Sequence, residues 1–219
     1  MTWVMENLDV IGFALYAHLY LAVPAIFLSL LISVPIAYLA TKHPKSREIT
    51  LTSTGLLYAI PSLPLFVLMP IMVGVPLRSS TNVHIVLTIY GCALMVRAAA
   101  DAFDSVDRDV LEAAQATGYG PGRLLFGVHL PLAGPAILAG LRVVSVSTIS
   151  LTTVGAVLGI TSLGSLFTDG FQRGILPEII TGLVLTIGLA VIIDVVISLL
   201  GNLVMPFNRT LRKAEGARA

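Results

Sequence analysis

Two ionisable residues lie in stretches that are otherwise apolar. Asp194 sits between Ala190-Val-Ile-Ile and Val195-Val-Ile, and Arg142 follows Ile137-Leu-Ala-Gly-Leu. A charge inside a bilayer is costly, so such residues mark pairing or function by default. Both lie at similar depth in their stretches, and pairing would neutralise both. A fixed ion pair joining two helices is the favoured reading, and contact with a solute is the other. Arg142, Ser145, Thr148 and Thr152 recur at helical spacing and share a face, a polar stripe for a cavity wall or a partner surface. No catalytic or metal constellation is legible. The four histidines (His18, His43, His84, His129) lack ligand spacing, and the single Cys92 excludes an internal disulfide and a Cys-based metal site. No Gly-x4-Gly-Lys-Ser/Thr loop occurs, so the chain has no nucleotide cradle of that kind.

The elements that hold these residues follow from composition. Of 219 residues, 56% are hydrophobic and 11% charged, against about 25% charged in an ordinary soluble domain. The mean hydropathy of +0.94 points to lipid. About 20 apolar residues cross a bilayer. Five spans are expected, at about 16–40, 51–75, 83–100, 133–158 and 178–204. The fold class is therefore all-α, a polytopic membrane protein. Residues 1–206 read as one membrane domain with a polar loop at 101–132, and 207–219 as a basic tail. Met1 to Asp9 carry no Lys or Arg, so a cleaved signal peptide is not expected.

Charge orients the spans. With the N-terminus outside, the inner side holds Lys42, Lys45, Arg47, Arg97, Arg108, Arg123, Arg142, Arg209, Arg212, Lys213 and Arg218, and the outer side only Arg78 and Arg173. The positive-inside rule favours N-out and C-in, which makes 101–132 cytoplasmic. Within the spans, Pro24, Pro35, Pro61, Pro64 and Pro70 free the carbonyls of Tyr20, Leu31, Leu57, Ile60 and Phe66. Other helices or a wet cavity must satisfy them. Ile60-Pro61-Ser62-Leu63-Pro64 either kinks the second span for packing or bends it beside a pathway. Gly155-Ala-Val-Leu-Gly159 is a small-xxx-small pattern that permits close helix approach.

The loop reads as two short helices meeting at a tight turn. Asp107 caps the first, and Asp109 suits its first turn. Val110, Leu111, Ala113, Ala114 and Ala116 give a small apolar surface, with Glu112 at its edge. Gly118 fits a left-handed position after the helix end, and Pro121 suits the start of the next. A helix of this kind seats in a partner's groove. The alternative is an interfacial segment lying on lipid, but Asp101, Asp104, Asp107, Asp109 and Glu112 would be repelled by anionic headgroups.

The spacing Glu112-Ala-Ala, Gly118, Val128, Leu130-Pro131 resembles the cytoplasmic loop of ABC importer permeases, Glu-Ala-Ala-x3-Gly-x9-Ile-x-Leu-Pro, with Val for Ile. The resemblance extends through Ile60-Pro-Ser-Leu-Pro-Leu-Phe, Arg97, Pro135-Ala-Ile-Leu-Ala-Gly-Leu-Arg142, Gly155-Ala, Leu163-Gly164 and Asp194, and is similar to the osmoprotectant permeases. One Gly-rich run of those relatives is thinned here to Gly159-Ile-Thr-Ser-Leu-Gly164. The resemblance implies a multi-pass subunit of a prokaryotic plasma membrane. It implies two cytoplasmic ATPase partners that bind ATP and Mg, a second permease (the same or a paralogue) and an extracytoplasmic binding protein. No cofactor in this chain and no nucleic-acid partner are expected. The ATPase-coupling residues implied are Asp107, Asp109, Leu111, Glu112, Ala113, Ala114, Gly118, Leu130 and Pro131. Candidate path residues are Tyr58, Pro61, Ser62, Pro64, Ser145, Thr148 and Thr152. The implied solutes are glycine betaine, choline or carnitine, with methionine or another small amino acid as the rival. An ATP-independent channel or carrier is the rival of another class. No aromatic cage is legible: the only Trp is Trp3, and Tyr58, Phe66 and Tyr90 read as packing or belt residues.

Overall fold

The protein is described by a computed structural model covering residues 2–205. The tail at 207–219 lies outside the described residues. The helices are α1 (Thr2–Glu6), α2 (Leu8–Thr41), α3 (Pro44–Ala59), α4 (Ser62–Val73), α5 (Ser80–Asp104), α6 (Arg108–Ala116), α7 (Pro121–Leu124), α8 (Leu130–Thr152), α9 (Leu163–Arg173) and α10 (Leu176–Val204). A π-helical turn at Leu125–His129 joins α7 to α8, and a 3-10 turn at Thr153–Leu158 follows α8.

Four helical stretches are long and apolar enough to cross a membrane: Leu8–Thr41, Ser80–Asp104, Pro121–Leu158 and Leu176–Val204. The pair α3 and α4, bent by 104°, makes a fifth when counted as one broken span. The described residues thus hold four to five apolar spans, and the first begins at Leu8 rather than near residue 16. The central post is α5. Its Val83, Val86, Leu87, Tyr90, Met95, Ala99 and Phe103 are buried, and α2, α3, α4 and α8 pack around it. Small residues permit the close fit to α2, whose Ala25 and Ala37 are buried in clusters shared with α5. The outer face of α10 stays apolar and open, as a lipid-facing helix requires.

The break in the second span has a local cause. Pro61 cannot donate to Leu57, and a residue before proline is pushed out of the helical region. Ile60 and Pro61 accordingly take extended backbone, with ψ of 128° and 139°. Ile60 N–H instead closes on the Leu57 carbonyl at 3.3 Å.

Three of the other proline-freed carbonyls find donors on α5. His84 Nε2 lies 2.9 Å from the Tyr20 carbonyl. The Tyr90 hydroxyl donates to the Ile60 carbonyl, and Asn82 Nδ2 donates to the Phe66 carbonyl at 3.0 Å. One helix therefore repairs one backbone defect of α2 and two of the broken span. The same Asn82 amide donates to Leu77 at 3.0 Å. Asn82→Leu strands the buried Phe66 carbonyl, and a stranded buried polar group costs about 1–3 kcal/mol. The loss outweighs the relief of removing Asn82 Oδ1, which has no partner among the described residues. Thr88→Val is the control: its buried hydroxyl also lacks a partner, so stability should hold or rise. Unfolding midpoints in mild detergent check both; equal midpoints would remove the repair role.

The connection expected at Gly159–Pro177 is not a plain loop. It contains α9, eleven residues long and so about 16 Å, too short to span. Ser162 caps α9, accepting from Gly164 N–H, and Ser165 reaches back to Ser162 N–H. Leu163, Leu166 and Gly170 bury one face. Two glycines kept from the thinned run carry the geometry. Gly159 has a left-handed φ of 78°, and a Cβ on Gly164 would come 2.2 Å from the Thr153 carbonyl oxygen.

Candidate functional site

The polar loop forms a small hairpin of helices. Asp107 Oδ1 accepts from Asp109 N–H at 2.9 Å, capping α6. The helix ends with Gly118 N–H on Gln115 and Tyr119 N–H on Ala114, at 2.9 and 3.2 Å. That closure needs the left-handed φ of 90° at Gly118. Pro121 then opens α7. No residue of α6 is fully buried. The candidate coupling residues divide by face. Leu111 packs inward on the core around Phe103 and Val106, and Ala114 is half-buried behind it. Asp109, Glu112, Ala113 and Ala116 point outward and are exposed. Leu130 and Pro131 are not on this face; they begin α8 and line an apolar groove with Leu30 and Met205.

Two contacts brace the helices that the hairpin leaves and rejoins, and the sequence reading missed both. Arg47, on α3, donates to Asp104 at 2.6 Å and to Asp101 at 3.0 Å. The spacing of Asp101 and Asp104 was a readable signal, since residues three apart share a helix face. On the other side, His129 Nε2 lies 3.0 Å from the Phe103 carbonyl. Its ring stacks edge-on against Phe103 and Tyr38, with centroids 5.0 and 5.9 Å away. The π-helical turn sets this orientation, and nothing in the sequence marks it. The end of α5, from which the hairpin springs, is thereby tied to α3, which leads to the break in the second span.

Inside the membrane domain, Arg142 donates two hydrogen bonds to Asp194, each at 2.7 Å. The pair is two-pronged, which suits the planar guanidinium. It is not sealed: the Arg142 side chain is 43% exposed and that of Asp194 25%. The rest of the α8 stripe turns elsewhere. Ser145 and Thr152, expected on a cavity wall, are fully buried. Their hydroxyls donate to the Arg142 and Thr148 carbonyls at 2.8 and 2.7 Å. On a helix of 3.6 residues per turn Ser145 lies about 60° and Thr152 about 80° around from Arg142, which explains the division. Tyr58, Ser62 and Thr148 do come together, lining a cavity of 360 Å³ beside the break. Pro61 and Pro64 shape that break without lining the cavity. Among the described residues, no group of His, Cys, Asp and Glu could hold a metal.

These features are those of a helical membrane domain with a polar helical hairpin between two of its spans. The sequence profile described as "binding-protein-dependent transport system inner membrane component" matches residues 33–210. The chain belongs to this family. The permease is 37% identical over 146 residues to the ergothioneine transport permease/ergothioneine binding protein EgtU of Helicobacter pylori (strain G27). That match takes in 67% of the chain but only 26% of EgtU. The permease is also 25% identical to the glycine betaine/carnitine/choline transport system permease protein OpuCD of Bacillus subtilis (strain 168), over 89% of the chain and 84% of OpuCD. Among solved structures, a chain of the inward-facing MetNI methionine ABC transporter superposes with a TM-score of 0.74 at 20% identity. That superposition covers 92% of the permease and 97% of the other chain, and it shows the fold. The protein is thus an all-helical permease subunit of an ABC importer, a multi-pass component of the inner membrane.

Proposed function

We propose that the permease imports a quaternary ammonium solute by alternating access, driven by ATP that other subunits hydrolyse. The observation supporting the solute class is kinship with EgtU and OpuCD. Ergothioneine, glycine betaine, carnitine and choline all carry a trimethylammonium group. An extracytoplasmic binding protein delivers the solute, and two cytoplasmic ATPase subunits bind the ATP and Mg. The outward face of α6 (Asp109, Glu112, Ala113 and Ala116) seats in a groove of one ATPase, with Asp107 and Gly118 fixing its ends. Closing of the ATPase pair moves the hairpin and with it the end of α5, from which the bridge of Asp101 and Asp104 to Arg47 passes the motion to α3 and the broken span.

A second permease, identical or paralogous, completes the pathway. The half-open Arg142–Asp194 pair supports this, because a charge pair in a bilayer faces protein or a water-filled cavity, not lipid. Tyr58, Ser62 and Thr148 are the path residues the cavity favours. The N-terminus lies outside and the C-terminus inside, as the distribution of Lys and Arg supports.

Uptake into proteoliposomes by the purified complex tests the reading. Labelled glycine betaine should enter only with ATP, choline should compete, and methionine should not. Uptake that follows an ion gradient without ATP, or competition by methionine alone, would overturn it. In the same vesicles, with Cys92 replaced by Ser, a Cys at Ser79 should react with an impermeant thiol reagent from the binding-protein side. A Cys at Ser46 should not; the reverse pattern would invert the topology.

A further inference from the structure

The cavity at the break of the second span joins α3, α4, α5 and α8. By helical rise, Tyr58 lies about 21 Å along α3 from Pro44, and Thr148 about 27 Å along α8 from Leu130. Both lie within the length that crosses a hydrocarbon layer about 30 Å thick, towards its far side from those helix starts. At 360 Å³ the cavity falls in the usual range of ligand sites, roughly 300–1,000 Å³.

Two tyrosine rings form a corner of its wall. The centroids of Tyr58 and Tyr90 are 6.0 Å apart and their planes meet at 76°. The Tyr90 ring is held in place because its hydroxyl is committed to the Ile60 carbonyl. Tyr58 is 49% exposed in the single chain, so a ring face remains accessible. Ser62, Ser147, Thr148 and Ser150 line the same cavity. Ser145 and Thr152 spend their hydroxyls on their own helix. Thr148 is only 3% exposed, yet its hydroxyl makes no hydrogen bond among the described residues.

The wall carries no Asp, Glu, Lys, Arg or His. A primary ammonium brings three N–H donors that need acceptors, ideally a carboxylate. A quaternary ammonium has no N–H, and aromatic faces attract it within about 6 Å of a ring centroid. The chemistry of this wall therefore selects against amino acids and for onium ions.

We propose that this cavity is a solute-contact site within the membrane domain, where the Tyr58 and Tyr90 rings hold a quaternary ammonium cation. The Thr148 and serine hydroxyls take the polar end of the same molecule. The site rests on the import reading above, deepens it, and gives the permease selectivity of its own in addition to that of a binding protein.

Equilibrium binding to the purified complex, without binding protein, tests the site. The probes are choline and its neutral carbon isostere 3,3-dimethyl-1-butanol. Choline should bind more tightly than the isostere. Tyr58→Leu should weaken choline by between about twofold and thirtyfold, the range of one cation–ring contact. It should leave the isostere unchanged. Tyr58→Phe keeps the ring and should keep affinity, and Tyr58→Trp should equal or improve it. Equal binding of both probes, or choline affinity indifferent to residue 58, overturns the site. Betaine uptake without choline binding removes the site and leaves the import reading. Ring-dependent choline binding without ATP-driven uptake keeps the site and removes the import reading.

Discussion

Glu112→Lys and Gly118→Val each abolish ATP-driven uptake while the permease still reaches the membrane. Glu112 is exposed on the outward face of α6 and makes no ion pair among the described residues. Reversing its charge therefore leaves the fold untouched and alters only what docks there. A like-charge contact at an interface costs several kcal/mol, and each 1.4 kcal/mol is about tenfold in affinity. Loss of uptake by well over tenfold follows. Gly118 acts through the backbone. Nothing lies within 4 Å of a Cβ placed there, so crowding cannot account for a defect. Valine at φ of 90° is strained by about 1–3 kcal/mol, which unwinds the closure onto Ala114 and Gln115. Gly118→Asn separates the two causes, because asparagine tolerates the left-handed region and should keep partial uptake. Each variant is checked by uptake, by copurification of the ATPase and by membrane abundance. Wild-type uptake and normal copurification in both Glu112→Lys and Gly118→Val would end the docking assignment.

The legible parts of this protein are those governed by local rules. Long apolar stretches identified the spans, and Asp107, Gly118 and Pro121 gave the hairpin its cap, turn and restart. The proline positions named in advance which carbonyls would need donors. The donors themselves were hidden, because Asn82, His84 and Tyr90 only become neighbours of those carbonyls once α5 packs beside α2 and α4. α9 was missed for a similar reason: eleven residues are too few for a hydropathy signal, and its Ser162 cap sits in a run that reads as loop. The contacts at the base of the hairpin show both outcomes. Asp101 and Asp104 share a face by spacing alone, but Arg47 is more than fifty residues away in sequence. The polar stripe on α8 was over-read. Helical spacing put four residues near one side, and packing then buried Ser145 and Thr152, gave Thr148 to the cavity and left Arg142 with Asp194.

That last pair yields the second large effect. Arg142 and Asp194 face each other through two hydrogen bonds of 2.7 Å between α8 and α10. α10 is otherwise mostly apolar on its open face, so the pair is the main polar link between these two spans among the described residues. Asp194→Asn leaves an unpaired guanidinium, and Arg142→Gln leaves an unpaired carboxylate. A charge stranded at membrane depth is costly wherever it lies in the span, and breaking such a pair from one side is worse than replacing both partners. Each single variant should therefore lower expression and the detergent unfolding midpoint. The double variant should recover at least about half of the summed loss, the non-additivity expected of residues in direct contact. Simple addition of the two losses would mean the charges do not stabilise one another in the assembled transporter. Uptake then separates two roles that stability cannot. If the double variant is stable and still transports, the pair is a clasp between α8 and α10. If it is stable but inactive, the charges are needed at the open groove they share with Ser147, where the second permease or the passing solute would meet them.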